Sequence, residues 1–358
     1  MRIVQFLPAG TSRDGVTAGA FLIEQMLLEL GYESRIFCCL FSPEIETNVE
    51  HCINPAQIDD AADLILVHHS MGHDFGEFVT ATSTPKVLIY HNITPPHFFP
   101  EDSVYAQYSV LGREQLAAWR DCFLAAVGDS EFNSNELVDL GYSNVVTIPV
   151  LVDSDRFSSV RSERPINAPV APFFLSVGRI VENKQQHKMI EALSLLTGVL
   201  EDEQLPKLIL SGGITCPDYD SKLRSLVSAL KLDDHVCFLG KTSDQELLWL
   251  YKNALALWSI SDHEGFCMPL VEANMLGLPV IAGYLESIES TLGIGGLLLR
   301  DRTSESLAAA SLLLLNSATL ASTLAEAGCK NSERFMREAV KVGLADFLTD
   351  TVISRVDL

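Results

Sequence analysis

The sequence predicts an α/β protein built as two parallel-sheet domains. Short apolar runs alternate with amphipathic helical patterns from the first residues onward. The alternation breaks down in a proline-punctuated stretch that begins near residue 150, and then it starts again. At 358 residues the chain is long enough for two domains of roughly 150–200 residues each. The expected layout is a Rossmann-like first domain over residues 1–150, a linker over 151–172 and a Rossmann-like second domain over 173–330. A helical segment, 331–358, can pack back on the first domain. Parallel sheets of this kind face a cleft between the domains, where ligands bind.

Each element rests on a local pattern. Residues 2–7 form the first strand, 17–30 carry apolar residues at helical spacing up to Gly31, and 32–38 resume as strand. Residues 64–67, 86–90, 123–127 and 145–148 are further strands, with a helix from an N-cap at Ser130 to Gly141 between the last two. Pro149, Pro165, Pro169 and Pro172 mark the linker. The second series reads strand 173–177, helix 185–196, strand 207–210, helix near 221–230, strand 235–239 and helix 243–251. A buried strand at 255–258 leads into a loop and a helix opening at Pro269, where a fixed φ and a missing N–H cost nothing. Gly277 ends that helix, 278–281 is the next strand and 297–299 the last. Three amphipathic patterns follow from Ser304, split near Asn316 and Asn331.

Composition excludes several function classes. Apolar residues make up 47% and charged residues 20%, a globular balance, and the net charge is −22. Residues 1–150 hold 6 Lys and Arg against 20 Asp and Glu, with Lys86 their one lysine. Nucleic acid is therefore not an expected partner, and the acidity argues against direct membrane binding. No run approaches the roughly 18–20 apolar residues of a membrane span, and the first residues open as a strand rather than a signal peptide. The eight cysteines show no metal-type spacing, so reduced, mostly buried thiols in a cytoplasmic protein are expected.

The candidate chemistry lies at strand ends. Glu264-Gly265-Phe266-Cys267-Met268 followed by Pro269 is a glycine-containing strand-to-helix turn, which points free amides and the positive end of the helix dipole at a ligand. Glu264 and Glu272 flank it and suit hydroxyl groups on either side of a phosphate, as in a nucleotide-sugar. Alternatively, Glu272 complements the dipole and Glu264 is a solvated loop residue. Arg179 and Lys184 emerge after Gly178 at the end of strand 173–177, where both cations suit phosphate oxygens. Gly15, in the loop 8–16, either lets backbone approach a ligand or permits a turn; the spacing there is not that of a dinucleotide fold, which disfavours a nicotinamide oxidoreductase. His91 ends strand 86–90, and His68 and His69 end the strand before it. No zinc signature accompanies them, and no metal is expected. Asp153-Ser154-Asp155 reads as turn or capping chemistry.

These motifs together resemble a known family. Glu264 to Ala273 in the pattern E-G-F-x-x-P-x-x-E-A, V-G-R-I-x-x-x-K at 177–184, L-V-D-x-D-R-F at 151–157 and G-L-P-V-I-A at 277–282 are similar to the retaining GT-B glycosyltransferases of family 4. The first half is similar to bacterial mannosyltransferases of polysaccharide assembly, through Asp14-Gly15-Val16, His68-His69-Ser70, 91–96 and 112–116. The resemblance implies a GT-B fold and a metal-independent, retaining hexosyltransferase. Its donor would be GDP-mannose, with a UDP-hexose as the alternative, and its acceptor a glycan or other hydroxyl compound. It also implies that Arg179 and Lys184 hold the donor diphosphate and that Glu264 and the amides of Gly265, Phe266, Cys267 and Met268 hold sugar and phosphate. Glu272 would take the ribose, His91 would lie near the reacting carbon, and Gly15 would reach the diphosphate. A soluble acceptor, or delivery by a glycan-assembly partner, fits the acidic first half. From another class, the chain could be a silent GT-B module that binds sugar nucleotide or acts as a scaffold.

Overall fold

The computed structural model describes residues 1–12, 14–149, 152, 154–170 and 172–352. Two compact units emerge, one comprising Met1–Leu151 with Arg337–Leu358 and the other Val152–Met336.

The first unit is a seven-stranded parallel sheet. Its strands are β1 (Arg2–Gly10), β2 (Glu33–Phe41), β3 (Glu50–His51), β4 (Leu64–His69), β5 (Lys86–Tyr90), β6 (Ala125–Gly128) and β7 (Val145–Thr147). Every residue of β4, β5 and β6 is buried, as near-continuous apolar runs become when helices cover both faces of a parallel sheet. Alternate side chains feed two cores. Val4, Phe6, Val67 and Leu88 pack with Trp119 on one face; Ile3, Leu66 and Val87 pack with Met26 and Leu27 on the other. Val340, Leu344 and Phe347 of the helix Arg337–Phe347 complete that second core. Arg337 and Lys341 also pair with Glu29 at 2.7 and 3.1 Å.

The second unit is a six-stranded parallel sheet of β8 (Phe173–Val177), β9 (Lys207–Ser211), β10 (Val236–Gly240), β11 (Leu257–Ser259), β12 (Val280–Gly283) and β13 (Gly296–Leu299). Strand order is β3-β2-β1-β4-β5-β6-β7 in the first sheet and β10-β9-β8-β11-β12-β13 in the second. Direction of winding therefore reverses between β1 and β4, and again between β8 and β11. Such switch points open a crevice at the carboxyl ends of the strands.

Several expectations need correction. The stretch read as a linker belongs to the second unit: Phe157 and Ala168 are buried in its core beside Phe173 and Tyr251. Its prolines break periodicity without removing it from the fold. Leu151, Asp153 and Ala171 lie outside the described residues, and so does the end of the C-terminal segment, 353–358. Residues 331–336 stay with the second unit, where Phe335 is buried. The helix Val104–Ala118 carries no clear apolar stripe, because its buried face is Ala106, Ser109, Gly112 and Leu116. Small residues let it lie close to the chain: a Cβ on Gly112 would sit 2.4 Å from the Gly72 nitrogen. All eight cysteines are free, but only Cys38, Cys39, Cys52 and Cys267 are buried. Among the described residues no single helix is long and apolar enough to cross a membrane.

Two glycine substitutions should separate. Gly212 has φ +156°, and an added Cβ would lie 1.9 Å from the Gly178 carbonyl oxygen. Gly212→Ala should lower the urea midpoint by an amount equivalent to about 2–4 kcal/mol, a strained and overpacked site. Gly19 lies inside the helix Gly15–Glu29 with open space around its Cβ position. Gly19→Ala should raise the midpoint by roughly 0.5–1 kcal/mol. Equal effects would show that backbone packing at Gly212 is not as tight as described.

Candidate functional site

The loops after β8 and β11 meet at the switch point of the second sheet. After β8 the chain turns at Gly178, with φ +152°, and Ile180 donates its N–H to the Gly213 carbonyl at 2.9 Å. A single turn, Glu182–Lys184, ends at Gln185 in the left-handed region, φ 55°, and the helix Gln186–Thr197 begins there. After β11 the chain runs through Glu264 to Cys267, which is also left-handed, φ 72°, and starts the helix Met268–Met275. A non-glycine residue held at positive φ stores strain, and strain of this kind clusters at functional sites. The Asp262 N–H donates to the Asn183 carbonyl at 2.8 Å, joining the two loops.

The main tie is ionic. Lys184 Nζ donates to Glu264 Oε1 at 2.5 Å, and Ser261 Oγ donates to the same oxygen at 2.7 Å. The Lys184 and Glu264 side chains are 19% and 10% exposed, so Glu264 is not a solvated loop residue. Burial works against both charges. The pairing outweighs it, holding the Lys184 pKa above the ordinary lysine value and that of Glu264 below the ordinary carboxylate value. Capacity remains for a ligand. An ammonium has three donors, and among the described residues Glu264 Oε2 has no partner. Arg179 is exposed and its guanidinium has no hydrogen-bond or ion-pair partner among the described residues, so its donor fork is open.

Glu272 is differently placed than expected. It is the fifth residue of its helix rather than a first-turn residue, which removes the dipole explanation. Its Oε1 accepts from Arg156 Nη1 at 2.9 Å and its Oε2 from the Tyr251 hydroxyl at 2.6 Å. Burial raises its pKa despite Arg156. Arg156 also reaches Asp244, at 2.6 Å. A ribose contact would use the second lone pair of either carboxylate oxygen. Phe266 packs edge-on against Phe335, 5.4 Å between centroids, so its side chain serves the core. Cys267 is buried and burial pushes its thiol up to about 12, while Met268 is exposed.

Gly15 and His91 lie in the first unit. Asp14 caps the helix Gly15–Glu29, accepting from the Thr17 N–H at 2.7 Å and from Thr11 N–H and hydroxyl at 2.8 and 2.9 Å. Arg13 of that loop lies outside the described residues. His91 is held at both nitrogens: Nδ1 lies 2.7 Å from Asp129 Oδ2 and Nε2 lies 2.8 Å from His68 Nδ1. Asn92, next to it, is left-handed with φ 69°. Sequence reasoning missed Asp129, Gln5, Arg156 and Tyr251. Two left a signal: Asp129 follows β6 as His91 follows β5, and Arg156 stands in the L-V-D-x-D-R-F motif at 151–157. Among the described residues no group of three or more His, Cys, Asp and Glu is placed to hold a metal ion.

Lys184→Met should leave Glu264 buried without its counter-charge and destabilise the protein by about 3–5 kcal/mol, whereas Lys184→Met with Glu264→Gln should recover most of it. Urea titrations of the three proteins check this. With Glu264 depressed, its contribution is present above the unfolded-state pKa and lost as pH falls through the lower folded value. With Lys184 raised, its contribution is present below the unfolded value and lost as pH rises through the folded one. The advantage of wild type over the double variant should therefore be flat near neutrality and shrink at both extremes.

Known proteins resemble the chain in sequence and in fold. Residues 162–331 match the family described as Glycosyl transferases group 1. The chain is 27% identical over 223 residues to the O-antigen chain mannosyltransferase B of Escherichia coli, covering 59% of this chain and 56% of that protein. It is 34% identical over 125 residues to the O-antigen chain mannosyltransferase RfbU of Salmonella typhimurium, covering 35% and 33%. The chain thus spans between a third and somewhat over half the length of these relatives. The Anabaena Alr3699/HepE structure in complex with UDP and glucose superposes with a TM-score of 0.76 at 17% identity, over 98% of this chain and all of that one. Residues 162–331 therefore form a glycosyl transferases group 1 domain, carried in a chain of GT-B fold.

Proposed function

We propose that the protein is a retaining, metal-independent glycosyltransferase of family 4 that moves a hexose from a nucleoside-diphospho-sugar to a hydroxyl acceptor. The observation that carries this reading is the meeting of Lys184 and Glu264 at the switch point, with Arg179 open beside them. The diphosphate would lie against Arg179 and the remaining Lys184 donors, which supply the positive charge a metal supplies elsewhere. Sugar hydroxyls would meet Glu264 Oε2 and the amides of Gly265 to Met268. Glu264 is engaged by Lys184 and Ser261, which disfavours its attack on the anomeric carbon and favours front-face transfer, with the leaving phosphate taking the acceptor proton.

GDP-mannose is the leading donor, supported by the mannosyltransferase names of two relatives. A UDP-hexose is the second reading, supported by the UDP and glucose bound in the Anabaena protein. The acceptor is a glycan or similar hydroxyl compound, used in the cytoplasm or presented by an assembly partner.

Calorimetric titration with GDP, UDP and ADP, with and without EDTA, tests the proposal. Selective, EDTA-insensitive binding of GDP supports the mannosyl reading and UDP selectivity the second; binding of none favours a silent module. Lys184→Ala should cut kcat/KM by roughly 10²-fold or more, as loss of a preorganised charge contact does. Arg179→Ala should lower nucleotide affinity while leaving the urea midpoint unchanged, because the guanidinium is exposed and pairs with nothing among the described residues.

A further inference from the structure

Four side chains of the first unit form one hydrogen-bonded line. Gln5 Nε2 donates to the Ala20 carbonyl at 2.9 Å, and its Oε1 lies 2.9 Å from His68 Nε2. His68 Nδ1 lies 2.8 Å from His91 Nε2, and His91 Nδ1 lies 2.7 Å from Asp129 Oδ2. The two imidazoles are nearly coplanar, 7° apart with centroids at 5.1 Å, so they meet end to end as an in-plane N–H to lone-pair contact requires.

The hydrogens in this line can be counted from one end. The Ala20 oxygen accepts only, so the Gln5 amide must turn its NH₂ toward it and its oxygen toward His68. His68 Nε2 then carries a hydrogen. His68 is 1% exposed, and burial drives its pKa well below the usual value; with the hydrogen on Nε2 it is a neutral ring with a bare Nδ1. That lone pair needs a donor, which is His91 Nε2–H. The Asp129 carboxylate needs another, which is His91 Nδ1–H. His69, next to His68, is buried, with its pKa pushed down to about 4, and brings no charge. His91 and Asp129 are each 9% exposed and line one cavity with Gly15, Gly19, Ile148 and Leu344.

We propose that Asp129 and His68 are positioning residues that hold His91 with a hydrogen on each nitrogen, making it a fixed imidazolium for a phosphate-bearing substrate. In that state His91 has no lone pair. It cannot take a proton from an acceptor hydroxyl, and its role is electrostatic. This inference rests on the glycosyl-transfer reading for its substrate but not for its proton count.

Histidine ¹⁵N spectra of the intact chain near neutral pH, assigned with His68→Gln and His91→Gln, test the count. Both His91 nitrogens should resonate as protonated, and His68 should show one protonated and one bare nitrogen; a bare His91 nitrogen overturns the proposal. Asp129→Asn, nearly isosteric, should turn His91 neutral and lower kcat by roughly 10²-fold, with KM for the nucleotide-sugar within about threefold. Asp129→Glu should restore part of both signals. A neutral His91 in Asp129→Asn with unchanged kcat overturns the positioning role. Absence of transfer by wild type with any nucleotide-sugar would defeat the glycosyl-transfer reading, and the spectra would still decide the proton count.

Discussion

Lys184 and Glu264 meet at 2.5 Å across the two loops of the second sheet's switch point, and the geometry of the site follows from that contact. Either charge alone, buried as these are, would be strongly unfavourable. Together they fix where both loops end. Gly178 and Gly212 bring the backbones close enough for the β8 loop to fold back, and Gln185 turns left-handed to start the next helix behind Lys184. Cys267 makes the matching turn on the other loop. A preorganised pair of this kind leaves unused donors and lone pairs for the proposed substrate, and it would need no reorganisation if charge developed there.

Glu272 shows the same principle with different chemistry. Its carboxylate is buried with Arg156 and Tyr251, and Arg156 comes from a stretch 116 residues earlier in the chain. In the first unit the equivalent device is built from histidines. Gln5 sets the tautomer of His68, which sets the hydrogen on His91, which Asp129 balances. The long connections stiffen each site by tying it to distant elements rather than to its own loop, the helices of Arg156 and Tyr251 in one unit and the strands of Gln5 and His68 in the other.

Much of this was legible in the sequence because it is local. Apolar runs of β-strand length, Pro269 at a helix start and Gly277 at its end need only their neighbours to be read. Glu264, Lys184 and Arg179 were legible as strand-end residues, and the family resemblance joined them. What stayed hidden depends on topology. Gln5 and His68 are 63 positions apart and become partners only because β1 and β4 are adjacent. Arg156 lay in a stretch whose prolines read as a linker, and the helix Val104–Ala118 buries small residues that leave no apolar period. The acidity of residues 1–150 was plain, but the buried histidine line within them was not.

The most direct test of the central claim is hydrogen–deuterium exchange of the intact chain with and without the nucleoside diphosphate it binds. If the diphosphate lies at the switch point of the second sheet, amides in 178–185 and 264–268 should slow together on binding. Saturating nucleotide with exchange in both loops unchanged would contradict the account, because the ligand would then be held by some other surface.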